Sequence, residues 1–175
     1  FHVDQAASQA LLSGFFIPMA LFPLVYGTLS DRFGRRLPLL FSLAILALGG
    51  LLGALSESFE ILVLARVLQG LGNASVILIV VTIINDSYER SDAVRVLATI
   101  SGIMMIVPAF SFAFGGLITD LISWKGIMIV IFLTGIISLV LSLIYLPETN
   151  LRPLQNFNLT SLTRDYQSLL TNRVY

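Results

Sequence analysis

The 175-residue chain is 57% hydrophobic and only 11% charged, with ten Lys+Arg balancing ten Asp+Glu and a mean hydropathy of +0.93. Soluble domains carry about a quarter charged residues, so this composition excludes an ordinary water-soluble fold and points to lipid; the zero net charge excludes a global field aimed at nucleic acid. With no cysteine and a lone His2, disulfides, thiolate chemistry and a histidine-based metal centre are also excluded, and no cofactor motif is visible.

The charges fall in clusters, and the apolar intervals between them predict five spans: 5–30, 37–56, 61–85 (interrupted only by Arg66), 96–119 and 126–147. Each meets the length of about 20 apolar residues that a helix needs to cross a bilayer. Runs that lack alternating polar residues cannot line a barrel, so the fold class is all-α, a polytopic membrane helix bundle. Arg32, Arg35, Arg36, Arg90, Arg95, Arg152, Arg164 and Arg173 all fall on one face of this arrangement and only Lys125 on the other. Basic loops stay in the cytoplasm, so the N-terminal end is expected outside the cell membrane and the C-terminal end inside.

The first connector reads Gly27-Thr28-Leu29-Ser30-Asp31-Arg32-Phe33-Gly34-Arg35-Arg36. Gly27 permits close approach of another helix. Asp31 stands at a helix C-terminus, where the macrodipole disfavours an anion, so it needs a partner: a nearby Arg or the N-terminus of another helix. Gly34 allows a positive φ, and Arg35 and Arg36 anchor the topology and can donate to acidic groups. In the third span, Arg66-Val67-Leu68-Gln69-Gly70-Leu71-Gly72 places an arginine six residues beyond Glu60, about 9 Å along the axis. Two readings stay open for Arg66: it snorkels to the outer face, or it faces a polar cavity with Gln69 one turn away. The fourth span holds Gly102, Pro108, Gly115 and Gly116, and Pro108 should bend it. Beyond residue 147 the chain turns polar, and Leu159, Leu162, Tyr166, Leu169 and Leu170 recur at helical spacing. That stripe suits a short amphipathic helix at the membrane surface or a plain linker helix.

The corner from Gly27 to Arg36 resembles the signature loop of the major facilitator superfamily. A generic basic loop would account for Arg35 and Arg36 but not for the Gly, Asp and Gly at these spacings. Arg66 to Gly72 is similar to that superfamily's Arg-x-x-Gln-Gly motif. Trp124-Lys125 and Leu146-Pro147-Glu148-Thr149 also look like it. The glycine and proline set around Pro108 resembles the antiporter motif more loosely, because Val107 stands where that motif has Gly. Asp86 and the tail resemble the bicyclomycin- and chloramphenicol-resistance branch of drug:proton antiporters, with Asn85 where an Arg commonly precedes the aspartate.

The resemblance implies a fragment of a twelve-helix transporter. Residues 1–147 would supply its second to sixth helices and 148–175 the start of the central cytoplasmic loop. The missing first helix and C-terminal half would be partners, together with the lipid bilayer, protons and a small-molecule substrate. It further implies a charge relay of Asp31, Arg35 and Asp86 and a proton-coupling role for Arg66, Gln69 and Gly70. The expected function is proton-coupled efflux of small amphiphilic compounds by alternating access. Uptake or export of a sugar or metabolite, and a non-transporting remnant, are the alternatives. An enzyme is not expected, since Arg66 is the one ionisable residue clearly at depth. Asn73, Met104, Met105, Phe110 and Phe112 could line an adaptable cavity or simply pack.

Overall fold

In lipid, a chain that spans must bond its backbone within the segment, and the computed structural model, which describes residues 5–150, is built accordingly. Its secondary structure is helical throughout: α1 (Gln5–Leu21), α2 (Pro23–Phe33), α3 (Arg36–Ala54), α4 (Phe59–Ala74), α5 (Val76–Ser87), α6 (Arg90–Leu121) and α7 (Trp124–Tyr145). Among the described residues, four helices are long and apolar enough to cross a membrane, with α4 and α5 running together from Phe59 to Ser87, and the bent pair α1 and α2 makes a fifth. The polar tail from residue 151, including the stripe from Leu159 to Leu170, lies outside the described residues.

Helix ends do not coincide with the charge clusters that bound the expected spans. Asp31 and Arg32 are inside α2, Asp86 is inside α5, and α6 begins at Arg90, so that Asp92 and Arg95 are helical. The physical reason is that charge marks where the chain leaves lipid, whereas a helix stops only when its backbone pairing does, and water beyond the membrane does not interrupt it. The turns are correspondingly tighter than the clusters.

A second difference is a break of 41° between α1 and α2 within the first expected span. Pro23 opens α2; it has no N–H to donate to the carbonyl of Met19, and its ring crowds that carbonyl. Pro108, by contrast, sits inside an α6 that is continuous from Arg90 to Leu121.

α3 is the centre of the bundle, packed against α4 on one side and α7 on the other, while α1 lies along α4. Lipid tails are as apolar as leucine, so helices associate through close packing and not through the hydrophobic effect. Two glycines make that approach possible. A Cβ on Gly50 would stand 2.5 Å from the backbone nitrogen of Phe132 on α7, and one on Gly72 would stand 2.5 Å from that of Leu46 on α3. Near the α2–α3 corner, Leu39, Leu43 and Ile79 form a buried cluster onto which Val76, Ile83, Leu139 and Leu146 pack. α6 is the exception. It touches mainly α5 and α7, and side chains such as Met105 (84% exposed) and Phe112 (86%) stand clear of the other described residues.

Candidate functional site

Two polar groups interrupt the apolar bundle. The first is at the corner. α2 ends by presenting Ser30 and Asp31, Gly34 turns the chain at φ +89° and ψ 171°, a combination essentially reserved for glycine, and Arg35 precedes the first turn of α3. From there the Arg35 guanidinium reaches three groups on two other helices. Nη1 donates to the Ser30 hydroxyl at 2.9 Å and pairs with the Asp31 carboxylate. Nε donates to Oδ2 of Asp86, at the end of α5, at 3.1 Å. The Arg35 side chain is 13% exposed. Its burial works against the charge, but the hydrogen bonds and the fields of Asp31 and Asp86 outweigh it and hold the guanidinium above its ordinary pKa. Asp31 therefore finds its partner one turn away, across the corner.

The same corner contains a carboxylate whose partners no local pattern predicts. Glu148, just beyond α7, accepts the backbone N–H of Arg35 at 2.8 Å through Oε1 and that of Arg36 at 3.1 Å through Oε2. These are orphan donors at the start of α3, where the helix macrodipole favours an anion. A side chain on Gly34 would collide with this carboxylate. Partial burial works against the Glu148 charge, yet the backbone amides of Asn150, Arg35, Arg36 and Thr149 hold it below the usual carboxylate range. The Asn150 side chain in turn donates to the Asp31 carbonyl at 3.3 Å. Arg36 Nη2 donates to the Leu143 carbonyl in the last turn of α7 at 2.8 Å, and Arg32 lies over the Phe33 ring, 5.0 Å from its centre.

The second group is two turns into α4. Arg66 Nη1 donates to Oε1 of Gln69 at 3.2 Å. Gln69 is 1% exposed and passes its amide hydrogens to the Gly49 carbonyl on α3 at 3.2 Å and to the Met128 sulfur on α7 at 3.4 Å. Gly70 lets the Phe15 carbonyl of α1 press directly on α4. Arg66 borders two openings beside α1: one of about 310 Å³, lined with Phe59, Leu62, Trp124 and Met128, and one of about 420 Å³, lined with Ser8, Leu12 and Phe15. Leu11 borders both.

The remaining expected positions divide. Gly27 is not a point of tight contact, since a methyl there would meet only Leu78, at an ordinary 3.5 Å. Gly102, Gly115 and Gly116 face open space among the described residues. Met104, Met105, Phe110 and Phe112 are exposed, and Asn73 donates to the Met19 sulfur at 3.8 Å. Sequence reasoning missed Ser30, Asn150 and the cap made by Glu148. The signal was Glu148 within the family-like stretch Leu146-Pro147-Glu148-Thr149, and nothing about it named a target more than a hundred residues away.

The chain matches the family model of the Major Facilitator Superfamily over residues 1–174. It is 34% identical over 161 residues to an uncharacterized transporter of Rickettsia bellii, covering 92% of this chain and 39% of that protein. It is 25% identical over its whole length to the multidrug resistance protein MdtM of Escherichia coli K12, 43% of which it covers. It is 27% identical over 173 residues, 99% of this chain, to the multidrug transporter MdfA of Edwardsiella ictaluri, 42% of which it covers. The chain thus spans about two fifths of the length of these relatives.

Proposed function

The chain belongs to the major facilitator superfamily of multi-pass membrane transporters, and on that premise we propose that it forms part of a secondary transporter that exports small amphiphilic compounds in exchange for protons. The corner group would be its cytoplasmic gate and the Arg66 group its coupling centre. The observation that carries this reading is Arg35, which bridges Asp31 on α2 and Asp86 on α5. An ion pair between two elements is a contact that can hold one arrangement of a bundle and be lost in another. Two names among the relatives, a multidrug resistance protein and a multidrug transporter, support the substrate class.

Arg66 supports the coupling half of the reading. A guanidinium at depth costs about 2.5 kcal/mol or more unless it meets an anion or water. Among the described residues its hydrogen-bond partner is the neutral Gln69, and it opens onto clefts that lie beside α1. A carboxylate from the first helix expected ahead of this chain would complete it, and that carboxylate would be the group that carries the proton. Residues 1–147 then form the second to sixth helices, set in the inner membrane with the corner facing the cytoplasm.

The test is transport by the full-length protein in inverted membrane vesicles, with ethidium and a panel of amphiphilic antibiotics. Uptake into the vesicles should follow the pH gradient and stop when an ionophore collapses it. Arg35→Ala and Asp31→Asn should abolish transport while leaving membrane insertion intact. Unchanged transport in either variant would sink the gate, and indifference to the pH gradient would sink the antiport.

A further inference from the structure

We propose that Glu148 is a positioning residue for the gate: by holding the first backbone amides of α3, it fixes where the Arg35 guanidinium stands between Asp31 and Asp86. The inference rests on the reading of that trio as a gate. Its basis is that Arg35 is held at both ends. Its side chain is fixed by carboxylates of α2 and α5, and its own N–H by Oε1 of Glu148 at 2.8 Å, with the next N–H on Oε2 at 3.1 Å.

Using both carboxylate oxygens on consecutive amides sets the direction of the first turn of α3, from which the guanidinium departs. Three further hydrogen bonds brace the arrangement. Asn150 donates its own N–H back to Glu148 Oε1 at 2.9 Å and its side-chain amide to the Asp31 carbonyl at 3.3 Å. Arg36 ties α3 to the last turn of α7 through the Leu143 carbonyl at 2.8 Å. Gly34 leaves the space that the carboxylate occupies. The exit of α7 is thereby wired to the gate through the backbone of Arg35 itself, so a displacement of that exit moves Arg35 without acting on the carboxylate of either aspartate.

A substrate-independent experiment tests this in the full-length protein. Ile84 on α5 is 7% exposed, two residues before Asp86; Ile84→Cys reports opening of the corner by its labelling rate with a membrane-impermeant maleimide in inverted vesicles. Asp86→Asn, Glu148→Ala and the double variant are compared, with Glu148→Gln, which keeps one acceptor oxygen, as a milder form if Glu148→Ala fails to reach the membrane. Glu148→Ala should raise labelling about as much as Asp86→Asn, several-fold, and the double variant should add little to either single, because both act through Arg35. Glu148→Gln should fall between Glu148→Ala and wild type. If Asp86→Asn raises labelling while Glu148→Ala does nothing, or adds its full effect on top of Asp86→Asn, the positioning role is wrong and the gate stands. If Asp86→Asn has no effect, the gate itself is wrong and the inference falls with it.

Discussion

Arg35 and Arg66 are the same residue type in one bundle, and their surroundings are opposite. Arg35 is surrounded by anions, with Asp31 and Asp86 on its guanidinium and Glu148 on its backbone. Among the described residues Arg66 leans on a single amide oxygen, that of Gln69, and meets no carboxylate. The contrast teaches that an arginine's role is set by what opposes its charge. A charge with its partners in place holds helices together, whereas one that lacks a carboxylate is a site at which an anion, a proton equilibrium or a ligand can act.

The largest break in this comparison should come from Arg35→Ala. It leaves Asp31 and Asp86 facing each other without the charge that joins them; both carboxylates are partly exposed, 48% and 31%, so screening keeps the cost in stability to about 1 kcal/mol or less per pair and the loss is read in transport. Transport should fall to background with normal amounts of protein in the membrane, measured by vesicle uptake and immunoblot.

Gly34→Ala should come next. A φ of +89° with ψ of 171° costs a residue with a side chain about 1–3 kcal/mol, and the new methyl collides with Glu148. The apparent melting temperature in detergent should fall, whereas Gly27→Ala, which meets only ordinary contact with Leu78, should leave it nearly unchanged.

On the Arg66 side, Gln69→Leu should cost about 1–3 kcal/mol, because it takes the acceptor from the Arg66 N–H and removes the side-chain bond to the Gly49 carbonyl of α3. Arg66→Lys keeps the charge without the planar fork. It should insert normally and show a shifted pH dependence of transport; a pH profile identical to wild type would remove Arg66 from the coupling step.

The smallest effect is the protonation of Glu148. Its folded-state pKa lies below the ordinary value, so its contribution is complete above the ordinary glutamate range and is lost as pH falls through the lowered value. The loss should be about 0.3–1 kcal/mol, read as a lower melting temperature in acid that Glu148→Gln no longer shows.

The opposite end of the bundle offers a control for that last experiment. Ser58 caps α4 through its own hydroxyl, which accepts the Ile61 N–H at 3.3 Å. This is a local cap, visible in sequence as a serine just before an apolar helical run. The cap on α3 is made by a residue from beyond α7. Both satisfy the same kind of orphan donor, but the first depends only on neighbours in the chain and the second on the packing of three helices.

Sequence alone determined the membrane class and the residues at the corner, and its five apolar runs meet four helices of spanning length and one bent pair among the described residues. These follow from apolar length, from clustering of charge and from the turn requirement at Gly34, all local properties. It also put Gln69 within reach of Arg66, because residues three apart share a helix face. Only the tertiary structure decided that Pro23 breaks its span while Pro108 stays within a continuous helix. Tertiary packing also brought Arg35 between α2 and α5, tied Gln69 to α3 and α7, and seated Glu148 on the amides of α3. Those outcomes depend on which helices lie side by side, and in lipid that is chosen by close steric fit at positions such as Gly50 and Gly72. Hydrophobicity expresses little of that choice, because lipid tails are as apolar as the aliphatic side chains on these helices.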